Sequence, residues 1–193
     1  MANSRAEKAR NHQRILDLAA ARFRELGIGG VGVAELMKEA GLTHGGFYRH
    51  FGSRDDMVAE VVERAMEKGR KALDRMIESK GDRHDILAGL IDFYLSSAHR
   101  DSLPTSCPVT ALARDVARSN RRARRAYTQS VAAFVDALTR LAAGDRPTVR
   151  RAKAVGALST LVGALSLARA VDNEVLSAEI LKSAASEVKA RLR

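Results

Sequence analysis

Hydrophobic residues recur at helical spacing along almost the whole chain, and strict alternation is nowhere sustained. Ile15, Leu18, Ala19, Phe23 and Leu26 mark one face of a first helix over about residues 5–26, with Asn3 or Ser4 as its cap and Gly27 as its stop. Val33, Leu36, Met37 and Ala40 fall at i, i+3, i+4 and i+7, the apolar stripe of a short second helix that Gly41 ends. Thr43 then caps a third short helix whose Phe47 and Phe51 turn inward. Two brief helices joined by a tight glycine turn make a helix-turn-helix, with the first helix packed behind it because two short helices cannot bury a core alone.

Downstream, Ser53 caps a long helix over about 54–79, roughly 39 Å of one rigid element, with Asp55 and Asp56 at the favourable end of its dipole. A fifth helix ends near His99, residues 100–108 form a loop, and a short helix follows Pro108 to about Arg118. Asn120 caps a seventh helix through about Ala143, the stretch from Gly144 to Pro147 closes it, and an eighth reaches about Ala170. Ser177 is the expected cap of the last helix, about 178–192. The pattern predicts an all-α chain of about nine helices. A three-helix helix-turn-helix domain over 1–52 precedes a helical ligand-binding and dimerisation domain over 53–193.

The eighth helix is apolar nearly all round between Lys153 and Arg169, so it must be covered on both sides, and a second subunit is the economical cover. Gly156, Leu158, Val162 and Gly163 on this helix, with Ile180, Leu181 and Ala184 on the last, are the expected interface.

The chain carries a formal charge of +10 with pI about 10.3, which favours an anionic partner. The charge is not concentrated on the helix-turn-helix: residues 1–60 hold 9 basic residues against 8 acidic. The densest run, 114–125, has six arginines against one Asp. With no interleaved aromatic residues it reads as a solvated helix junction rather than a second nucleic-acid patch. Arg5, Lys8 and Arg10 are either phosphate contacts or a solvated end.

A single cysteine, Cys107, excludes an internal disulfide and fits a reducing cytoplasm. The N-terminus has no apolar signal-peptide core, and the longest uncharged run, 154–168, is shorter than the roughly 18–20 apolar residues of a membrane span. No nucleophile and base pair up, no phosphate loop follows a strand, and none of the five histidines shares a face with acids or Cys at metal-ligand spacing. The sequence therefore reads as a non-enzyme without cofactor or metal.

Base reading needs side chains at the exposed start of the recognition helix, where His44 and Gly46 stand, with Tyr48 a turn on. Gly45 and Gly46 are poor helix formers, costing roughly 1 kcal/mol each against Ala, and suit a backbone that approaches DNA closely.

At Gly45-Gly46-Phe47-Tyr48-Arg49-His50-Phe51-Gly52-Ser53-Arg54 the chain resembles the TetR family of bacterial transcriptional regulators, with Arg54 where that family often has Lys. The resemblance is specific over about the first sixty residues and architectural beyond them. It implies phosphate contacts by Thr43, Tyr48, His50 and Arg54, a homodimer joined through a four-helix bundle of the last two helices, and a palindromic DNA operator. It further implies a small-molecule effector in the larger domain and repression as the commoner sense. Met66, Leu90, Tyr94, Tyr127, Val131 and Phe134 are the candidate cavity residues, each also readable as plain core. Cys107 sits in a stretch similar to the cysteine segment of family members that sense electrophiles or oxidants; otherwise it is a small buried hydrophobe. An architectural or partner-controlled DNA-binding protein without a ligand is the alternative, and a cytoplasmic, nucleoid-associated location follows from either.

Overall fold

In the computed structural model, residues 2–78, 81–144 and 146–193 are described, with side chains from Arg5 onward. They form helices and no strand. The helices are α1 (Ala2–Leu26), α2 (Val33–Glu39), α3 (Arg54–Ile77), α4 (Arg83–Tyr94), α5 (Ser97–Asp101), α6 (Pro108–Ala117), α7 (Arg121–Leu141), α8 (Pro147–Ala170) and α9 (Glu174–Leu192). Single 3-10 turns lie between α2 and α3 (His44–Arg49, the expected reading segment) and between α5 and α6 (Leu103–Thr105). The all-helical expectation is met. Helix α1 starts at Ala2, so Asn3 and Ser4, the alternative expected caps, lie inside the helix; the expected end at Ser79 and Asp145 of the closing turn lie outside the described residues.

The turn between α2 and the reading segment is fixed by Gly41 at φ +70, a left-handed conformation that costs a Cβ-bearing residue strain. Gly41 N–H donates to the Lys38 carbonyl at 2.9 Å and Leu42 N–H to the Met37 carbonyl at 2.9 Å, closing the last turn of α2. Thr43 makes no side-chain cap, contrary to expectation. Its carbonyl instead accepts from Gly46 N–H at 2.9 Å, and the two glycines wind the segment as a 3-10 turn rather than an α-helix. Phe47 and Phe51, each 2% exposed and 5.3 Å apart ring to ring, pin this turn to the core.

Two apolar cores fill the molecule. The first joins Ile15, Ala19 and Phe23 of α1, Leu36 and Met37 of α2, both phenylalanines, the 57–66 stretch of α3, and α6. The second joins Leu73 of α3 with α4, the C-terminal part of α7, α8 and α9. Cys107, Val131 and Val162 touch both. Helix α3, about 36 Å long, thus has one end in each core.

Three boundaries differ from expectation. Helix α4 stops at Tyr94, because Ser96 caps a separate α5 by accepting from His99 N–H at 3.1 Å. The expected loop 100–108 is accordingly part helix and part 3-10 turn. Helix α9 starts at Glu174 under Asn173; Ser177 is buried inside it and donates its hydroxyl to the Ala168 carbonyl at 2.7 Å, tying α9 to α8.

Helix α3 begins under a reciprocal cap: Ser53 Oγ accepts from Asp56 N–H at 3.0 Å and donates to the Asp56 carboxylate at 2.8 Å. Replacing Ser53→Ala is expected to cost about 1 kcal/mol. In a thermal melt this lowers the Tm by about 2–4 °C for a chain of this size.

Candidate DNA interface and effector cavity

The reading segment presents Thr43, His44, Gly45, Tyr48 and Arg49 to solvent, with Tyr48 72% exposed. Tyr48 thus carries an apolar ring and a hydroxyl on the surface beside the buried Phe47. A Cβ at Gly45 would meet nothing within 4 Å, and one at Gly46 only ordinary contacts at 3.6 Å or more. Steric crowding within the fold does not demand glycine at either position, and both leave bare backbone open to close approach by a partner.

His50 and Arg54 are placed differently from the rest. His50 is half-buried and lies against His12 and Phe51, with Nδ1 buried and without a partner. Burial first, then nearby His12, Lys8 and Arg49, holds its pKa below the ordinary histidine value. Arg54 donates from Nη2 to the Ile28 carbonyl at 2.8 Å and to the Val31 carbonyl at 3.4 Å, bracing the turn between α1 and α2 while its side chain stays exposed.

The reader is held from behind by charge as well as packing. Arg22 of α1 bonds both oxygens of Glu39 at the end of α2 and reaches Glu25 at 2.8 Å. His12 of α1 bonds Glu60 of α3 at 2.8 Å. Asp115 of α6 accepts from Ile28 N–H at 3.1 Å, a direct tie between the larger domain and the turn behind the reader. Arg122, from the arginine run, pairs with Glu63 of α3 at 2.6 Å, whereas Arg121, Arg124 and Arg125 remain exposed.

A cavity of about 430 Å³ lies between the two cores. Of the expected residues, Leu90, Tyr94, Cys107 and Phe134 line it. Met66 does not, being fully buried in the first core; Tyr127 turns its hydroxyl to the Val109 carbonyl at 2.8 Å, and Val131 packs between the cores. Sequence reasoning missed Arg24, Met76, His99, Ser106 and Ser130, which also form the wall. It missed above all that α1 supplies part of it, through Ala20, Ala21 and Arg24.

Cys107 is half-buried at the start of α6. Its N–H donates to His99 Nε2 at 3.0 Å, so that nitrogen carries no proton, and His99 Nδ1–H donates to the Tyr94 carbonyl at 2.7 Å. His99 is thereby fixed as a neutral tautomer that buckles α4, α5 and α6 together. Burial lowers its pKa, against the Tyr94 carbonyl bond, which works the other way. Tyr94 bonds Thr110 at 2.6 Å in the interior and lies within reach of the Cys107 sulfur; burial, first of all, raises its pKa well above the ordinary tyrosine value.

On the proposed dimer face, Leu158, Leu181 and Ala184 are already buried within this chain, and Gly156 lies against Arg191. Val162, Gly163 and Ile180 are half-buried. The face left open on α8 is Val155, Ser159, Ser166 and Leu167, with Val155 47% and Leu167 58% exposed. Contrary to the expectation that no histidine groups with acids, Asp82, His84 and Asp85 come within 4.8 Å of one another at the exposed start of α4, where Asp82 caps the helix. No helix among the described residues is long and apolar enough to cross a membrane.

Residues 15–61 match the model for bacterial regulatory proteins of the tetR family. The HTH-type transcriptional regulator AcrR of Shigella flexneri is 28% identical over 95 residues, 49% of this chain and 44% of its own. An uncharacterized HTH-type transcriptional regulator, YfiR of Bacillus subtilis (strain 168), is 26% identical over 106 residues, 55% and 51% respectively. The chain thus spans about half the length of the curated relatives it matches. The fold extends further. A TetR-family regulator from Agrobacterium tumefaciens superposes with TM-score 0.80 at 17% identity, covering 96% of this chain and 98% of its own. The reduced form of E. coli NemR does so with TM-score 0.78 at 19%, covering 93% and 95%.

Because burial lowers the His99 pKa, the unfolded chain takes up a proton first as pH falls below the ordinary value of 6.5. The stability held by neutral His99 is complete above that value and lost as pH falls towards the folded-state value. His50 contributes with the same sign. Thermal melts from about pH 7.5 down to about pH 5 should show the Tm falling through the ordinary histidine range, and falling less in His99→Gln.

Proposed function

We propose that this chain, which belongs to the TetR family of bacterial DNA-binding transcriptional regulators, works as a homodimeric repressor on a palindromic operator and is released by a small molecule or by modification of Cys107. The observation that carries the DNA part is the reading segment itself, anchored by Phe47 and Phe51 while Tyr48, Thr43 and His44 stand exposed on a backbone stripped of Cβ atoms at Gly45 and Gly46. His44 and the backbone at Gly46 meet base edges; Thr43, Tyr48, His50 and Arg54 meet phosphates, which fix register and make binding salt-dependent.

Dimerisation through α8 and α9 is supported by the open stripe around Val155 and Leu167, two large apolar side chains on a helix whose other faces are already packed. Two copies related by a two-fold axis present two reading segments to major grooves about one helical turn, roughly 34–36 Å, apart or somewhat further. The proposed site of action is the cytoplasmic nucleoid.

The cavity supports effector control over the architectural alternative. Its volume is within the roughly 300–1,000 Å³ of small-molecule sites. An effector that binds two arrangements of the dimer unequally shifts operator affinity by that difference and no more. Cys107, half-exposed at the wall, is where a thiol adduct would fill the same space.

Selection of bound duplexes from a random library, sequenced and followed by gel-shift titration, tests the reading. A palindromic consensus is the expected result; sequence-indifferent binding sinks it. Tyr48→Phe should weaken the selected duplex about fivefold through loss of one hydrogen bond, without changing the consensus. His44→Ala should relax the consensus at one position in each half-site.

A further inference from the structure

We infer that the cavity takes an apolar small molecule bearing one anionic head, a carboxylate or its equivalent, and that Arg24 of α1 is the residue that reads the anion. The inference rests on the proposed effector control and names the chemical class of the effector.

Much of the cavity wall is apolar, including Leu73, Met76, Leu90, Phe93 and Phe134. Part of the wall comes from α1 and from Pro104 and Thr105, and there Arg24 stands half-buried. Its Nη1 donates to the Ala20 carbonyl at 2.8 Å and to the Pro104 carbonyl at 3.3 Å, both neutral acceptors. Its Nε is buried and has no partner. Among the described residues no carboxylate forms an ion pair with it. A guanidinium drawn out of water without a counter-ion is costly, and burial accordingly lowers the Arg24 pKa.

Its surroundings carry the same sign. Lys68 and Arg70 also line the cavity, and its one acid, Asp17, is taken up by Lys68 at 2.6 Å and Arg64 at 3.2 Å. Ser106, 1% exposed, lies in the same wall, and its hydroxyl is likewise buried without a partner. A cation and a hydroxyl donor, both under-satisfied in the wall of a largely apolar cavity, are complementary to an anion carried on a hydrocarbon or aromatic body.

The position of Arg24 gives the anion a mechanical consequence. A carboxylate entering beside α1 takes the guanidinium from the Pro104 carbonyl, the weaker and longer of its two bonds. That bond joins the reader's first helix to the segment leading into Cys107. Occupancy therefore loosens α1 from the larger domain directly, without a relay through the length of α3.

Calorimetric titration of the full chain with decanoate and, separately, with decan-1-ol isolates the head group, since the two share a hydrocarbon chain. Decanoate should bind about tenfold more tightly than the alcohol, as a charge-assisted bond to a buried guanidinium provides. Arg24→Met should bring the two ligands within about twofold of each other, Arg24→Lys should keep part of the difference, and Cys107→Ser should keep all of it. Equal affinities for acid and alcohol in the unsubstituted protein, or binding of neither, overturn the inference without any variant, as does a preference that survives Arg24→Met. Operator binding measured alongside separates this claim from the broader one. Decanoate binding that leaves operator affinity unchanged upholds the anion site and overturns effector control. Operator release by neutral compounds alone, with no preference for the acid, leaves control standing and overturns the anion site.

Discussion

One helix belongs to two cores, and the behaviour of the molecule follows from that sharing. The first half of α3 buries Met57, Val58, Val61, Val62, Ala65 and Met66 against the reader and α6, while Leu73, two turns on, is buried with α4, α7, α8 and α9. Neither core is complete without it, so the reader cannot move as a free domain on a flexible tether. Any tilt of α3 strains one core or the other, and close-packed interiors accommodate strain by switching between arrangements rather than by stretching. The Ser53 cap and the Arg54 brace fix where the reading segment ends and the shared helix begins.

The cavity occupies the seam that this sharing leaves. It touches α1, α3, α4, α7 and the segment before α6, which are the elements that meet where the two cores adjoin. Beside the packing of Val131 and Val162 against both cores, polar ties lie around the seam: Arg24 to the Pro104 carbonyl, Asp115 to Ile28 N–H, and His99 to both Cys107 N–H and the Tyr94 carbonyl. Such bonds contribute about 1 kcal/mol each net of water, little enough for a ligand or a proton to exchange them. A switch requires contacts of that size, strong enough to hold one arrangement and weak enough to be traded for another.

Most of the fold was legible in the sequence because helical periodicity and caps are local. The stripe from Val33 to Ala40, Gly41 as its stop, and Ser53 and Asn120 as caps all stand where the pattern put them. The misses arise where a local preference is overridden, by a partner on another element or by the neighbouring backbone. Ser177 looked like a cap, yet its hydroxyl serves the Ala168 carbonyl nine residues back on a neighbouring helix. Thr43 looked like a cap, but the Gly45-Gly46 pair tightened the reading segment and left its hydroxyl outside the helix end. In the cavity, Leu90, Tyr94 and Phe134 could be guessed from inward faces. Arg24 could not, because on its own helix it is one arginine among several, and only docking of the 103–105 turn eighty residues away makes it a buried cation. The exposure of Tyr48 was legible, since Phe47 and Phe51 already fixed the inward side.

The central claim is that reader and cavity are one coupled unit, and linkage makes it testable from the DNA side alone. Hydrogen exchange of the full chain, with and without its selected operator, measures it. The account predicts slower exchange at residues 33–54, the proposed DNA-contacting segment, and also a change across 103–108, where Arg24 and His99 hold the segment before α6. Changes confined to the reader, with 103–108 exchanging identically in both states, would contradict it.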